Sequence, residues 1–290
     1  MGLLNFISGV KNRDHLLISK LENYTKSYTL KTENQLMYGS KSQILKSKTE
    51  TKIRIDQEIY KNRLFSKVTI LNIKGETESD EIKTVLNQAL ILSEISPSIL
   101  FKRNLDGELL QIENTEQLTK EWNSWKKTKL REVFQDKRES ERFVKNYEKG
   151  LCNMSLNIFN NLTYKFVLPE CLNNKSYISK NENISASKCA NSKLISNLHM
   201  DYFMHTYKLT GENDDTIHIK SKIKNKDILT KDLLKKLPFQ NENYTFDQYA
   251  YKINKKYKFN RNTSEIISGK FSFKESIHNE FYYNINMIID

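Results

Sequence analysis

The sequence is poor in glycine, proline and cysteine. It contains 8 Gly and 3 Pro in 290 residues, so no flexible or polyproline linker is expected between its parts. The three cysteines, Cys152, Cys171 and Cys189, are odd in number and form no CxxC pair, which gives no zinc or redox signature. Reduced thiols are the simpler interpretation, with a Cys171–Cys189 disulfide as the alternative.

Long apolar runs are missing as well, since no stretch approaches the ~18 residues that span a bilayer. The N-terminal segment 1–26 opens with the apolar stretch 1–10, but no basic region precedes that stretch, so it lacks the pattern of a signal peptide. We therefore predict a cytoplasmic protein, with an exported mature chain as the alternative. The spacing of leucines predicts a short helix at 14–24. The apolar stretch 1–10 before it either packs onto the domain or docks onto a membrane or a partner.

Catalytic signatures are also missing. The sequence contains no G-x-S-x-G, P-loop, G-x-G-x-x-G or HExxH pattern. Its paired acids have structural explanations, because Asp80-Glu81 fits the first turn of a helix and Asp214-Asp215 fits a turn. We predict that the protein is not an enzyme and has neither a catalytic residue nor a cofactor.

Aromatic residues and positive charge are abundant. The 15 Tyr, 14 Phe and 2 Trp bury a large area per residue and are sufficient for a sizeable core. The 47 Lys and Arg exceed the 35 Asp and Glu, for a formal charge of +12. A basic surface attracts nucleic acid, acidic lipid or acidic protein. Because acids are interspersed with the bases along the chain, the charge alone does not select among these partners.

Two-residue periodicity dominates the first part of the chain. Apolar and polar side chains alternate through residues 27–74, which predicts an antiparallel meander with one buried face. A helix at 79–94 follows, with one apolar stripe. Residues 99–112 then predict a hairpin that turns at Asp106-Gly107.

Helical spacing covers residues 114–149, as one long helix or as two with a break near 136–140. Asn114, with Gln117 three residues later, resembles a capping box at its start. The two tryptophans of this region lie on one helical face, which favours core packing over a platform for a ligand.

The second half is rich in strands once an irregular region has passed. We expect residues 151–195 to form a long excursion with short strands, because they are rich in Asn, Ser and Lys. Residues 197–224 predict a hairpin, and residues 227–238 predict a short helix that ends at a proline. The chain closes with three predicted strands, at 248–260, 263–274 and 279–289.

Together these elements predict an α+β fold, mainly curved antiparallel sheet with a few helices packed on it. A short match between 101–104 and 259–262 means either that a strand–helix–hairpin order occurs twice, as two related halves, or that composition produced a chance likeness. The expected divisions are an N-terminal helical segment at 1–26, a first sheet with helices at 27–150, and a strand-rich half at 151–290. The last two are either separate or one continuous domain.

The best candidate for chemistry is a group of histidines in the hairpin 197–224. His199, Asp201 and His205 share one face of its first strand, and the expected register places His218 opposite His205. His199 and His205 are ~20 Å apart along a strand, too far to share one ion. Two imidazoles do not complete a tetrahedral shell, so no metal site is predicted, and His205 and His218 are the remaining candidate ligands.

A specified fold without a chemical constellation favours a non-enzymatic binding or scaffold protein. Its partner would be another protein, bound through a sheet edge, the 151–195 region or the N-terminal segment. The order of long antiparallel strands and few helices resembles half-barrel carriers of lipids and lipoproteins, a fold-level analogy that no residue motif supports. That resemblance implies an apolar ligand in a concave sheet as the first alternative. Nucleic-acid binding through a basic surface is the second.

Overall fold

The structure is a computed structural model that describes residues 22–38, 44–154, 161–170, 184–195, 198–210, 214–224, 249–260, 263, 265–278 and 281–290. Within these ranges the strands are β1 (Tyr24–Tyr38), β2 (Leu45–Tyr60), β3 (Arg63–Thr77), β4 (Ser98–Arg103), β5 (Leu109–Ile112), β6 (Ile184–Asn191), β7 (His199–Thr210), β8 (Asp214–Ile223), β9 (Ala250–Asn260), β10 (Ile266–His278) and β11 (Phe281–Ile289). The helices are α1 (Asp80–Ile95), α2 (Thr115–Thr128), α3 (Leu130–Val133), α4 (Lys137–Cys152) and α5 (Leu162–Val167).

The strands form one open antiparallel sheet in the order β5-β4-β3-β2-β1-β11-β10-β9-β8-β7-β6. Strands that follow each other in the chain are neighbours in the sheet, except β5 and β6, which lie at its two ends. The first strand pairs with the last, as in the register Leu30 to Ile289. The predicted α+β class with mainly antiparallel sheet is confirmed. Of the described strands, β5 and β6 end the sheet.

The chain divides into two compact units, and neither is continuous in sequence. Of the described residues, those within 1–28, 52–73 and 87–174 form the first unit, and those within 29–51, 74–86 and 175–290 form the second. The suggestion of two related halves stays a prediction.

The strands of the first part lie close to their predicted positions. Lys61 and Asn62, between β2 and β3, both have positive φ, at 47° and 59°. Two such residues form the turn whose twist matches that of the flanking strands, and Asn tolerates the conformation well. The helix predicted at 79–94 is α1, and the hairpin predicted at 99–112 is β4 and β5.

The predicted helical region 114–149 is three helices: α2 and α3 are separated at Lys129, and the chain leaves helical geometry between α3 and α4 at Phe134. That residue is extended, with φ −115° and ψ 111°, and its ring is buried in an aromatic cluster with Trp122, Trp125 and Phe143. The next helix starts at Lys137, and the side chain of its cap Asp136 accepts from Arg138 N at 2.7 Å. The break therefore precedes the predicted 136–140, and the prediction that the tryptophans are core residues is confirmed.

The capping box predicted at Asn114 and Gln117 is wrong. Asn114 is the residue before α2, but its side chain makes no cap hydrogen bond. Its Oδ1 accepts from Leu100 N at 2.9 Å and its Nδ2 donates to Ser98 O at 3.0 Å. The amide therefore ties the start of the helix to β4, a tertiary contact that outweighs the local cap.

Three further predictions concern the irregular parts of the chain. Residues 162–167, where short strands were expected, form α5, whose cap Asn161 accepts from Thr163 N at 2.8 Å. Tyr24 begins β1 and does not end a helix. Residues 14–21 of that predicted helix, the apolar stretch 1–10 with its predicted packing or docking, and the 227–238 helix lie outside the described residues.

A buried arginine holds the β4–β5 turn of the first unit. Arg103 is 1% exposed, and it donates to Gly107 O at 2.9 Å, Ser66 Oγ at 3.2 Å and Pro169 O at 2.7 Å. Gly107 has φ +91°, and a Cβ there would lie 2.3 Å from Pro169 O. The predicted Asp106-Gly107 turn is confirmed, and glycine is required at its second position.

Period-two alternation sorts the side chains of β8–β11 in the second unit onto two faces. The inner face is apolar and aromatic, and its buried residues include Ile217, Ile219, Tyr251, Ile253, Tyr257, Phe259, Phe271, Phe273, Ile285 and Met287. Rings meet across strands, as in Tyr251 with Phe273 at 5.1 Å and Phe273 with Tyr283 at 6.0 Å between centroids. The opposite, outer face is mainly polar and more exposed, although Ile288 of β11 also lies exposed on it.

Candidate functional site

The hairpin of β6 and β7 places a regularly paired strand at the end of the described sheet. β6 pairs with β7 over eight residues, from Ile184 opposite Thr206 to Asn191 opposite His199, without a register shift. β6 lies within the region 151–195, for which a long excursion with short strands was expected, and it is a terminal strand of the described sheet.

Cysteine lies on the edge strand itself. Cys189 of β6 is exposed and reduced, and it is opposite Asp201 of β7. Cys152, at the end of α4 in the first unit, is also exposed and reduced. The predicted free thiols are confirmed for these two residues, while Cys171 lies outside the described residues.

The connection from β6 to β7 is held by a buried carboxylate. Glu275 of β10 is 0% exposed. Its Oε1 accepts from Ser192 Oγ at 2.5 Å and from Tyr249 OH at 2.9 Å, and its Oε2 accepts from Lys193 N at 2.7 Å. Charge-assisted hydrogen bonds of this kind are stronger than neutral ones, so the carboxylate fixes the start of the connection.

Ser192 continues this network into the turn. Its Oγ accepts from Leu194 N at 3.1 Å and from Ile195 N at 2.7 Å, while its hydroxyl donates to Glu275. Ile195 is buried. One hydroxyl therefore closes the turn locally and joins it to the core, which restricts the conformations open to β6.

Tyrosines surround the carboxylate. Burial raises the pKa of Tyr249, and the negative charge of Glu275 raises it further. Burial likewise raises the pKa of Tyr251, which is opposite Glu275 in the β9–β10 register. Both phenols therefore stay protonated across the physiological range, and Tyr249 OH stays a donor to Glu275. Tyr249 OH also contacts Met200 Sδ.

The outer face of β8–β10 is cationic. It carries seven exposed lysines, Lys220, Lys222, Lys252, Lys256, Lys258, Lys270 and Lys274. In these three strands one carboxylate shares the face, Asp214, which pairs with Lys258 at 2.9 Å. The balance is +6, half of the formal +12 of the whole chain.

Cross-strand register brings like charges together on this face. Lys256 is opposite Lys270 on one side and His218 on the other, and Lys252 is opposite Lys274. The pKa of His218 is lowered by burial, and the nearby Lys256 and Lys220 charges lower it further. The two lysine charges thus create a positive potential at the His218 imidazole. The sequence did not predict this local potential, because its acids and bases are interspersed along the chain.

The predicted pairing of His205 with His218 is wrong by two residues. His205 is opposite Lys220, and His218 is opposite Tyr207. The last pair of this ladder is Thr210 with Asp215. A shift of two keeps every side chain on its predicted face. The same register predicted an apolar face with Met200, Tyr202 and Met204 on one strand and Ile219 and Ile223 on the other, and Met200, Tyr202 and Ile219 are buried there.

Metal ligands are not clustered in the described part of the chain. No group of three His, Cys, Asp or Glu side chains there is placed to hold an ion. His199 is exposed at the start of β7, opposite Asn191. No helix among the described residues is long and apolar enough to cross a bilayer.

Sequence reasoning missed the Glu275 network. One signal was present: along β10 the inner-face series Phe271, Phe273, Glu275, Ile277 is interrupted by a carboxylate. A charged side chain at a position on the buried, apolar face of a strand predicts that hydrogen-bonding or charged partners are buried beside it. The partners, Ser192 and Tyr249, are 83 and 26 residues away, and only the fold joins them.

Comparison with known proteins gives little more. No protein-family model matches the sequence, and no curated protein matches it. A solved structure titled "Lipid-protein interactions in lipovitellin" is similar over 92% of this chain, at 8% identity and a TM-score of 0.39. The chain spans 24% of the length of that lipovitellin chain. We draw no conclusion about function from a similarity of this size.

Proposed function

We propose that the chain is a non-enzymatic binding protein that takes up an extended segment of another protein at the edge of β6. The observation that supports this is the position of β6, which ends the described sheet and pairs regularly with β7 over its whole length. In an antiparallel strand, the main-chain groups of alternate residues point away from the paired neighbour. A segment that adds beside β6 would pair with them by β-augmentation.

The sequence of β6 carries few of the features that protect an edge. Proteins commonly block edges with proline, bulges, short strands or several charges. β6 reads ISASKCAN, with one lysine and neither proline nor glycine. The Glu275 network holds the turn beside it, which lowers the entropy lost when a partner binds.

Two single-cysteine variants test this proposal. One retains Cys189, with Cys152→Ser and Cys171→Ser, and the other retains Cys152, with Cys171→Ser and Cys189→Ser. Each is labelled with a thiol-reactive photocrosslinker and irradiated in lysate of its native source. We expect a discrete protein adduct at Cys189 and none at Cys152, with the crosslinked peptide mapping to an extended segment. Equal adducts at both positions, or none at Cys189, would contradict the proposal.

A second candidate is an apolar ligand on the inner face of β9–β11. The observation that favours it is the run of aromatic side chains there, with the hydroxyls of Tyr249 and Tyr251 beside Glu275 as a polar end point. Native mass spectrometry and solvent extraction of the purified chain should then recover a bound lipid-like molecule. Tyr251→Phe should weaken its retention, while Tyr60→Phe, an exposed tyrosine of β2, should not.

A further inference from the structure

The outer face of β8–β10 holds more positive charge than folding explains. Like charges directly opposite one another on a sheet are destabilising, yet Lys256 lies opposite Lys270 and Lys252 lies opposite Lys274. The one carboxylate of this face in the three strands, Asp214, pairs with Lys258 at the far end of the ladder. An anionic partner would relieve this repulsion.

The lysines form a regular array. Lysines two residues apart on a strand are separated by about 6–7 Å, and neighbouring strands are separated by about 4.8 Å. Between the lysines lie neutral hydrogen-bonding side chains, Asn254 opposite Ser272, and Ser272 opposite Asn286. The face thus combines repeated cations with amides and hydroxyls. This is suited to a polymer with regular phosphates and hydrogen-bonding bases.

An aromatic side chain adjoins the array. Phe203 of β7 lies opposite Lys222 on the outer face and is 36% exposed. The Lys224 Nζ lies 4.8 Å from its ring centroid, and the His205 ring lies 6.3 Å away. Exposed rings on a cationic sheet are the surfaces on which single-stranded bases stack. Lysines alone can bind any polyanion. The rings of Phe203 and His205 and the amide side chains between the lysines favour nucleic acid over a lipid bilayer.

We propose that the outer face of β8–β10, with Phe203 at its border, binds single-stranded nucleic acid, the lysines contacting phosphates and Phe203 stacking on a base. This site is separate from the β6 edge and goes beyond the protein binding proposed above. The lowered pKa of His218 agrees with the positive potential that the site requires.

Fluorescence anisotropy of the full chain with a labelled oligouridylate of about 20 nucleotides tests the site, since sheet surfaces of this kind occupy about 4–16 nucleotides. The triple variant Lys252→Gln, Lys256→Gln and Lys274→Gln should bind at least about tenfold more weakly. Its log–log salt slope should be smaller by about 2, at about 0.7 for each lost phosphate contact. Phe203→Leu should weaken binding roughly tenfold with the salt slope unchanged.

The control variant carries Lys120→Gln, Lys127→Gln and Lys145→Gln, three exposed lysines of α2 and α4, and removes the same charge. It should bind like the parent chain. Equal loss in both triple variants, or no binding of the oligouridylate at low salt, would overturn the proposal. The proposal would also be overturned if phosphatidylserine vesicles or polyglutamate bound more tightly than the oligouridylate and the Lys252, Lys256 and Lys274 triple variant lost that binding. Chemical denaturation of each variant shows that a loss of binding is not a loss of fold.

Discussion

The two hairpins at the ends of the described sheet are alike in how their turns are held and differ in the length and register of their last strands. In each, a buried charged side chain ties down a turn: Arg103 holds Gly107 in the β4–β5 turn, and Glu275 holds Ser192 and Lys193 in the β6–β7 connection. Each anchor belongs to its own unit. Both show that a hairpin at a sheet end needs a tertiary contact, because it has neighbours on one side alone.

The hairpins differ in the strand that each presents. β5 has four residues, its pairing with β4 shifts register between Lys102 and Arg103, and α2 begins three residues after it ends. β6 has eight residues in unbroken register. Short, bulged strands are protected edges. The two ends of the described sheet therefore differ in the length and regularity of their last strand, and the proposed strand addition concerns the β6 end.

The anchor of the β4–β5 turn should have the largest effect on stability. Arg103→Ala leaves Gly107 O, Ser66 Oγ and Pro169 O without this donor in a buried site. We expect the free energy of unfolding to fall by about 3–5 kcal/mol, measured by chemical denaturation. Arg131→Ala, an exposed arginine of α3, should change it by less than about 0.5 kcal/mol. Similar values for the two variants would show that the turn does not need its anchor.

The anchor of the β6–β7 connection should have the next largest effect. Glu275→Ala removes the acceptor for Ser192 Oγ, Lys193 N and Tyr249 OH, and should cost about 2–4 kcal/mol. Glu275→Gln keeps the shape and two acceptor lone pairs, so it should cost less.

Hydrogen exchange gives the sharper measurement for Glu275. Faster exchange should appear in β6 and the start of β7, while β4 and β5 stay protected, because local opening follows the contacts that are lost. Uniform acceleration over both hairpins would contradict the idea that each anchor serves its own hairpin.

Ser192 should have a smaller effect on the same connection. Ser192→Ala removes the donor to Glu275 and the acceptor for Leu194 N and Ile195 N, in the manner of a lost helix cap. We expect a loss of about 1–2 kcal/mol. Ser192→Thr keeps the hydroxyl and should restore most of it. If the threonine variant is as unstable as the alanine variant, the hydroxyl is not the group that matters.

The smallest expected effect concerns pH and the cationic face beside β7. The pKa of His218 is lowered, chiefly by burial and then by Lys256 and Lys220, so the folded chain binds fewer protons there than the unfolded chain. Stability should therefore fall slightly as the pH decreases below the ordinary histidine pKa of about 6.5. An NMR titration should place the His218 midpoint below that value. Lys256→Gln should raise the midpoint while leaving it below the ordinary pKa, because burial remains.

The sequence by itself determined the elements and their faces. The alternation along β1 to β3 and β9 to β11, the helix stripe of α1, and the Asp106-Gly107 turn are local signals. They were sufficient because side-chain period follows directly from backbone geometry. The same period placed the apolar face of the β7–β8 hairpin correctly even though its register was wrong by two residues.

Only the tertiary structure decided what each element is next to. The Asn114 side chain binds the backbone of β4 and does not cap its own helix. Phe134 has non-helical geometry and packs in the aromatic cluster. The region 151–195 contains the terminal strand β6. Glu275 meets Ser192 across 83 residues, and the interspersed lysines become one cationic face through the register of β8–β10. These features depend on contacts between distant residues, which periodicity and propensity do not encode.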